Sequence, residues 1–254
     1  MIEPVANAPA ATATASGERL LIVADYHAGI EQGLRHEGVE LADGAPMRRQ
    51  RLQGLIAETK PDRLVILGDL MQTIGSPTRP ERRELAALFG AISIPTTLVK
   101  GNHDGDIEPI LTDIAEQQGL EITVTDAGGI RMGTVGFTHG HTWPSPDVLG
   151  ATVVCIGHEH PVVRLTDEVG GTRIERVWLR GPLAAEPFIA EGIIEPVESV
   201  DASLVVFPAF NNRSGGTWVN RPDQSFLSPF LPAALPDGEA YLPDGTRLGP
   251  YRDI

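Results

Sequence analysis

Leu64-Val65-Ile66-Leu67-Gly68-Asp69 is a short apolar run closed by a glycine and a carboxylate, and it reads as a buried strand whose end turns polar. The same arrangement occurs upstream in Leu20-Leu21-Ile22-Val23-Ala24-Asp25. It occurs again downstream in Thr96-Thr97-Leu98-Val99, which leads into Gly101-Asn102-His103-Asp104. Between these runs the periodicity is helical. Met47, Leu52, Leu55 and Ile56 fall near one face of a helix that ends at Thr59, before Pro61. Pro80 suits a first helical turn, with Leu85, Leu88 and Phe89 as the apolar stripe, and a further helix runs from about Ile107 to Gln118 and stops at Gly119. This β-α-β-α-β-α order implies parallel strands joined by right-handed crossovers.

Beyond Glu121 the rhythm changes to short strands with turns at Gly128-Gly129 and Gly170-Gly171. Val162 to Leu165 and Thr172 to Leu179 read as antiparallel partners, and Ser203 to Phe207 as a last strand leading into Pro208-Ala209-Phe210-Asn211-Asn212. The expectation is an α/β half and a mostly β half packed into one domain over residues 18–222. Residues 1–17 form either a loose tail or a first edge strand, in which Ala11 to Ala15, turning at Ser16-Gly17, makes a hairpin with the next strand. Residues 223–254, rich in Pro, Gly and Asp, are expected to wind over the surface.

Composition narrows the function. The chain has 254 residues, 41% hydrophobic and 21% charged, with 20 Lys+Arg against 34 Asp+Glu and a formal charge of -14. An acidic surface repels phosphate backbones, which argues against non-specific coating of nucleic acid while leaving room for a locally positive phosphate site. Cys155 is the only cysteine, so a disulfide framework and a Cys-rich zinc site are excluded; it reads as a small buried hydrophobe, and a reducing cytoplasm is the expected compartment. No apolar run approaches the length of a membrane span, and residues 1–17 lack the basic and Leu-rich regions of a signal peptide. Arg48, Arg49, Arg51 and Arg79, Arg82, Arg83 read as solvated helix faces, with contact to a nucleic-acid backbone as the alternative.

The histidines carry the chemistry. All but His36, which reads as solvated, lie in short polar clusters that follow predicted strands: Asp25-Tyr26-His27, Gly101-Asn102-His103-Asp104, His139-Gly140-His141 and Gly157-His158-Glu159-His160. Asp69 ends a strand in the same manner. Gly-His-x-His is expected only about 0.02 times in a shuffled chain of this composition. Ligands of α/β sheets bind beyond the carboxyl ends of strands, so these ends suit a single site. Imidazole, carboxylate and carboxamide without thiolate suit Mn, Fe, Zn or Co, and an Asp can bridge two ions. In an extended segment His158 and His160 share one side, and Glu159 points away, just outside the ligands or exposed.

These five blocks, read in order as Asp25-Tyr26-His27, Gly68-Asp69, Gly101-Asn102-His103-Asp104, His139-Gly140-His141 and Gly157-His158-Glu159-His160, resemble the calcineurin-like metallophosphoesterase superfamily. A narrower likeness lies in residues 25–31, in Gly157 to Pro161 and in Phe207-Pro208-Ala209-Phe210-Asn211. It resembles a subfamily of small phosphoesterases related to SbcD-type nucleases and associated in some bacteria with DNA ligase or an Lhr-type helicase. The resemblance implies an α/β fold of two packed mixed β-sheets flanked by helices, in αββα layers, and two divalent metal ions. Mn2+ is the first choice, with Fe, Zn, Co or Ni as alternatives. Asp25, His27 and His160 would hold the first ion, Asn102, His139 and His158 the second, and Asp69 would bridge them. His103 would be the general acid or a stabiliser of the transition state, Asp104 would orient it, and His141 would lie just outside the ligands or contact the phosphate.

On this reading a metal-bridging hydroxide attacks a phosphodiester of nucleic acid, single-stranded DNA included, or of a nucleotide. The alternatives are a phosphomonoesterase or cyclic-nucleotide phosphodiesterase, and a non-catalytic partner-binding subunit of a DNA-repair complex, with a helicase or ligase as the expected partner. Many relatives carry Asp or His three residues after the Asp of the second motif, where this chain has Gln72, which bears on substrate preference near that loop. Phe210, Asn211 and Asn212 are placed over the site from the β half.

Overall fold

The computed structural model describes residues 1–36, 38–39, 41–196, 200–221 and 223–254; the side chain of His36, and with it the expectation that it is solvated, lies outside the described residues. The first sheet is built from β1 (Ile2–Pro4), β2 (Ala10–Ala15), β3 (Glu18–Ala24), β4 (Arg63–Leu67), β5 (Thr96–Val99) and β6 (Ile122–Thr125), in that spatial order. β3 to β6 run parallel, and β1 and β2 fold back antiparallel on β3, so the Ala-Thr run is the hairpin partner and not a tail. The crossovers are α1 (Ile30–His36), α2 (Ala45–Thr59), α3 (Arg79–Phe89) and α4 (Glu108–Gln118). Met47, expected on the apolar face of α2, is exposed, while Leu52 and Leu55 carry that face.

The second sheet holds β7 (Ile130–Met132), β8 (Val135–Phe137), β9 (Val153–Ile156), β12 (Trp178–Pro182), β13 (Ser203–Val206), β14 (Glu239–Tyr241) and β15 (Arg247–Pro250), in the order β15-β14-β12-β13-β9-β8-β7. β8, β9 and β13 are mutually parallel in this mixed sheet. β10 (Val162–Thr166) and β11 (Thr172–Arg176) form a separate hairpin, so the run Thr172 to Leu179 splits between two sheets. Short α5 (Pro146–Leu149) and α6 (Glu186–Ala190) lie in the second half.

The period of two in the strands makes the layers. Leu21 and Val23 of β3, Leu64 and Ile66 of β4, and Leu98 of β5 pack with Leu52, Leu55, Leu85, Leu88, Phe89 and Leu111 of the helices. The alternate residues Leu20, Ile22, Val65 and Leu67 face the other way, onto Val135, Phe137, Cys155, Val205 and Phe207 of the second sheet. That sheet's outer face, with Val154, Ile156, Leu204 and Val206, packs on Val148 and Phe188. The result is the expected sandwich of two packed mixed sheets flanked by helices. The C-terminal stretch departs from expectation. It adds β14 and β15 to the second sheet and buries Phe230, Leu231, Ala234, Leu235 and Tyr251 in the outer core, because β12 would otherwise present an open edge there. No described helix is long and apolar enough to cross a membrane.

Candidate metal centre

Parallel strands from both sheets end at one place. Asp25 and His27 follow β3, Asp69 follows β4, Asn102 and His103 follow β5, His139 follows β8, and His158 and His160 follow β9. The strands stop there because the backbone leaves β geometry. Asp25, His27, Asp69, His158 and His160 all have left-handed φ between 44° and 68°, and only three other described non-glycine residues do. Neighbouring segments hold this unusual backbone. The N–H of Asp25 donates to the Gly68 carbonyl and that of His27 to the Asp69 carbonyl at 2.9 Å. Asn211 Nδ2 donates to the carbonyls of Tyr26 and His27 at 3.0 and 3.2 Å. A Cβ at Gly68 would run into the His139 ring, and one at Gly101 into the Asp69 carboxylate.

Two groups of donor atoms result, Asp25 with His27 and His160, and Asp69 with His139 and His158. In the first, His160 Nε2 lies 3.2 Å from both Asp25 Oδ1 and His27 Nε2. In the second, His139 Nε2 lies 3.3 Å from Asp69 Oδ2 and 3.2 Å from Asn102 Oδ1. Asp69 Oδ2 also stands 3.9 Å from His27 Nε2 and 3.8 Å from His103 Nε2, so this one oxygen faces both groups. Its other oxygen accepts from the His103 N–H at 3.0 Å.

The donor set fits divalent cations. His139 Nδ1 is 2.8 Å from the Leu67 carbonyl and His160 Nδ1 is 3.0 Å from the Gly215 carbonyl, so both rings hold a proton on Nδ1, and in the neutral form each would turn an unprotonated Nε2 inward. His27 Nε2 and His160 Nε2 face each other at 3.2 Å, an arrangement that a shared cation satisfies. Electrostatics agree. Burial opposes ionisation of Asp69, but His139, then His27, hold it well below the usual carboxylate range. Asp25 is likewise lowered, burial being outweighed by His160. Burial pushes His27 and His158 down to about 4, which keeps both imidazoles neutral. Without a cation His139 is lifted to about 9, because Asp69 and Asp25 overcome its burial, so a cation at Nε2 would take the place of a proton there.

The remaining expected residues sit around these donor groups. Asp104 is buried, and its oxygens accept from the N–H groups of Gly101, Leu70 and Met71. It therefore braces two loops, while the His103 ring is held by the Gln72 carbonyl, 2.5 Å from Nδ1. Burial, then the charge of Asp69, lifts Asp104 to about 6. His141 lies 5.3 Å, centroid to centroid, from His139 and 6.0 Å from His158, with its Nδ1 buried and unpartnered, and burial holds it down to about 4. Glu159 does point away from the cations' place, but it is buried. It accepts from Thr217 Oγ1 and from the N–H groups of Leu227 and Ser228, which fastens the C-terminal loop to the site. Phe210 and Asn211 lie buried beside the Asp25–His27 turn, with Phe210 stacked on Tyr26 at 5.8 Å, and do not cover the site.

Sequence reasoning missed a buried ion cluster behind this turn. Arg48 pairs with Glu31 at 2.5 Å and with Glu84 at 2.7 Å, Glu84 accepts from the Gly29 N–H, and Arg213 reaches Glu31 at 2.6 Å. Arg213, Ile30, Gln72 and His103 line a cavity of about 240 Å³ beside His27 and His160. No local signal marks Arg48 as buried; its partners come from two other elements, α1 and α3.

Residues 18–162 match the family model described as calcineurin-like phosphoesterase. No curated protein matches the chain. Among solved structures, the crystal structure of Pseudomonas putida nuclease MPE is similar over 98% of this chain and 100% of that one, with a TM-score of 0.54 and 19% identity, a likeness of fold. YfcE, a phosphoesterase from E. coli, aligns with 58% of this chain and 73% of that one, with a TM-score of 0.33 and 19% identity.

Proposed function

This chain belongs to the calcineurin-like phosphoesterase family, and from that membership we propose that it is a metal-dependent phosphodiesterase acting on nucleic acid or nucleotides. The observation that carries the reading is the pair of donor groups joined by one oxygen of Asp69. Asp25, His27 and His160 would hold one divalent ion, Asn102, His139 and His158 the other, and Asp69 would bridge. When bound, the ions supply charge neutralisation for the phosphoryl oxygens and activate water as the nucleophile. Mn2+ is the metal we expect.

The chain's own residues do the rest. His103 projects its Nε2 toward Asp69, with Nδ1–H donating to the Gln72 carbonyl, and as an imidazolium it would give the Nε2 proton to the departing oxygen and be left neutral. His141, neutral and unpartnered at Nδ1, is placed to contact a phosphoryl oxygen beside the second ion. Gln72 stands in the cavity wall where many relatives carry an acid or imidazole, and it supplies neither a charge nor a base there, which bears on substrate preference. The narrower likeness of residues 25–31 and 207–211 supports nucleic acid, with a helicase or ligase as partner. The lone buried Cys155 suits a cytoplasmic setting.

The test is metal analysis of the purified chain, followed by hydrolysis of bis(4-nitrophenyl) phosphate, single-stranded DNA, a 2′,3′-cyclic nucleotide and a simple phosphomonoester in Mn2+. The two open-chain diesters are expected to lead, and a preference for the cyclic nucleotide would make the chain a cyclic-nucleotide phosphodiesterase. A preference for the monoester would move the chain to a phosphomonoesterase, and full metal loading with no turnover on any of them would make it a non-catalytic subunit.

A further inference from the structure

Arg48 and Arg51 share α2, yet their surroundings differ. Arg48 is buried between two carboxylates. Arg51 has no carboxylate within 4.0 Å among the described residues. Its Nη1 donates to the Phe210 carbonyl at 3.4 Å, and its guanidinium carbon lies 5.3 Å from the Phe210 ring centroid. Arg176, at the end of β11, donates Nη1 to the carbonyl of the preceding residue, Ala209, also at 3.4 Å, and it too lacks a carboxylate partner among the described residues. Two guanidinium groups from distant segments thus sit on consecutive peptide carbonyls. Each spends one of its five N–H donors there. On a chain with a formal charge of -14, this is an uncompensated pair of like charges. Burial weakens both cations, and the charge of Arg51 weakens Arg176 further.

Their place gives the pair its meaning. The segment whose carbonyls they share runs along the first motif: the Phe210 N–H donates to the Ala24 carbonyl at 2.7 Å and the Asn211 N–H to the Asp25 carbonyl at 3.1 Å. Arg176 stands opposite Val162, two residues beyond His160. The pair therefore flanks the Asp25, His27 and His160 group without lining the cavity beside it. A small phosphoester held at the cations would not extend to it, whereas a polymer would. An anion between two guanidinium groups relieves their repulsion and gains charge-assisted hydrogen bonds from both.

We propose that Arg51 and Arg176 form a second anion site, which takes a backbone phosphate of a nucleic-acid strand whose scissile phosphate lies at the metal centre. This rests on the phosphodiesterase reading and deepens it to a polymeric substrate.

The experiment compares the full chain as purified with Arg51→Gln/Arg176→Gln and with Arg51→Lys/Arg176→Lys. Binding of a fluorescein-labelled oligothymidylate is followed by anisotropy across a salt series without added divalent cation. Hydrolysis of the unlabelled strand and of bis(4-nitrophenyl) phosphate is followed in Mn2+. The Gln pair is expected to bind about tenfold more weakly at low salt, with a log–log salt slope shallower by about 0.7 for the one phosphate no longer neutralised. Its KM for the strand should rise by the same factor with kcat held, while the small diester shows no such rise; the Lys pair should keep most of the slope. An unchanged slope, equal losses on strand and small diester, or a Lys pair as impaired as the Gln pair overturns the anion site. If the wild-type chain hydrolyses neither substrate with any divalent cation, it is the phosphodiesterase reading that fails, and the binding arm still decides the arginine pair.

Discussion

The first sheet and the second bring different atoms to the same place. From the ends of β3, β4 and β5 come both carboxylates, the carboxamide of Asn102 and the imidazoles of His27 and His103; from β8 and β9 come only imidazoles. Neither sheet completes a donor group alone. Asp25 and His27 need His160 from across the interface, and Asp69 needs His139 and His158. The difference teaches where the site is made. The chemistry is distributed over the strand ends of two sheets, and the inter-sheet core with Leu20, Ile22, Phe137, Cys155 and Phe207 sets the distance between them. Cation binding is then a property of how the sheets pack, as much as of the ligands.

The largest effect should come from the residue that touches both sides. Asp69→Ala is expected to lower kcat/KM for bis(4-nitrophenyl) phosphate by on the order of 10³-fold or more, with loss of bound metal. His103→Ala should lower it by about 10²–10⁴-fold while metal content stays at the wild-type level, since His103 sits outside both donor groups. Measuring turnover and metal together separates the two, and Asp69→Ala retaining full activity would break the assignment.

A cavity variant sharpens the comparison further. Phe207 is fully buried between the sheets, 4.6 Å centroid to centroid from Trp178. Phe207→Ala should cost about 3–5 kcal/mol in denaturant unfolding. Phe188→Ala makes a comparable hole in the outer core, on the far face of the second sheet. Only the inter-sheet hole is expected to weaken Mn2+ binding in titration calorimetry. If the two variants weaken it equally, the packing of sheet on sheet does not set the site.

The two sheets also differ in how far they can be read from the chain. In the first, β3 and β4 are continuous apolar runs buried on both faces, α3 and α4 show their stripes, and Thr78 and Glu81 form a capping box at the start of α3, while short α1 shows no stripe and Met47 misplaces part of that of α2. In the second, β7, β8 and β14 are three residues long, and β14 pairs with β12 across some sixty residues of intervening chain, a register that no local pattern encodes. The Pro- and Gly-rich composition of the last segment likewise hides Phe230, Leu235 and Tyr251, which are core. The metal motifs are legible because turn, carboxylate and imidazole sit within a few residues. The partition of His158 and His160 is not legible by alternation. Both lie at left-handed φ, so the segment is kinked rather than extended, and the two rings go to different donor groups. The burial of Arg48 is invisible for the same reason as the register of β14: its partners Glu31 and Glu84 arrive from other elements.

The smallest effect tests a polar tie between the same two halves. Glu31, on α1 of the first half, binds Arg48 beneath it and Arg213 from the segment that follows β13. Burial opposes its ionisation, but Arg48, then Arg213, hold its carboxyl below the ordinary value of 4.5. A carboxyl depressed on folding contributes stability that is present above its unfolded pKa and is lost as pH falls through the folded one. Glu31→Gln leaves Arg48 its pair with Glu84, so the cost at neutral pH should be about 1–3 kcal/mol rather than that of a fully orphaned buried cation. The stability gap between wild type and Glu31→Gln, taken from melts between neutral pH and strong acid, should stay level down to the ordinary glutamate range and then close. A gap that widens in acid would mean that Glu31 is protonated in the folded chain, and that the halves are joined here by packing and not by charge.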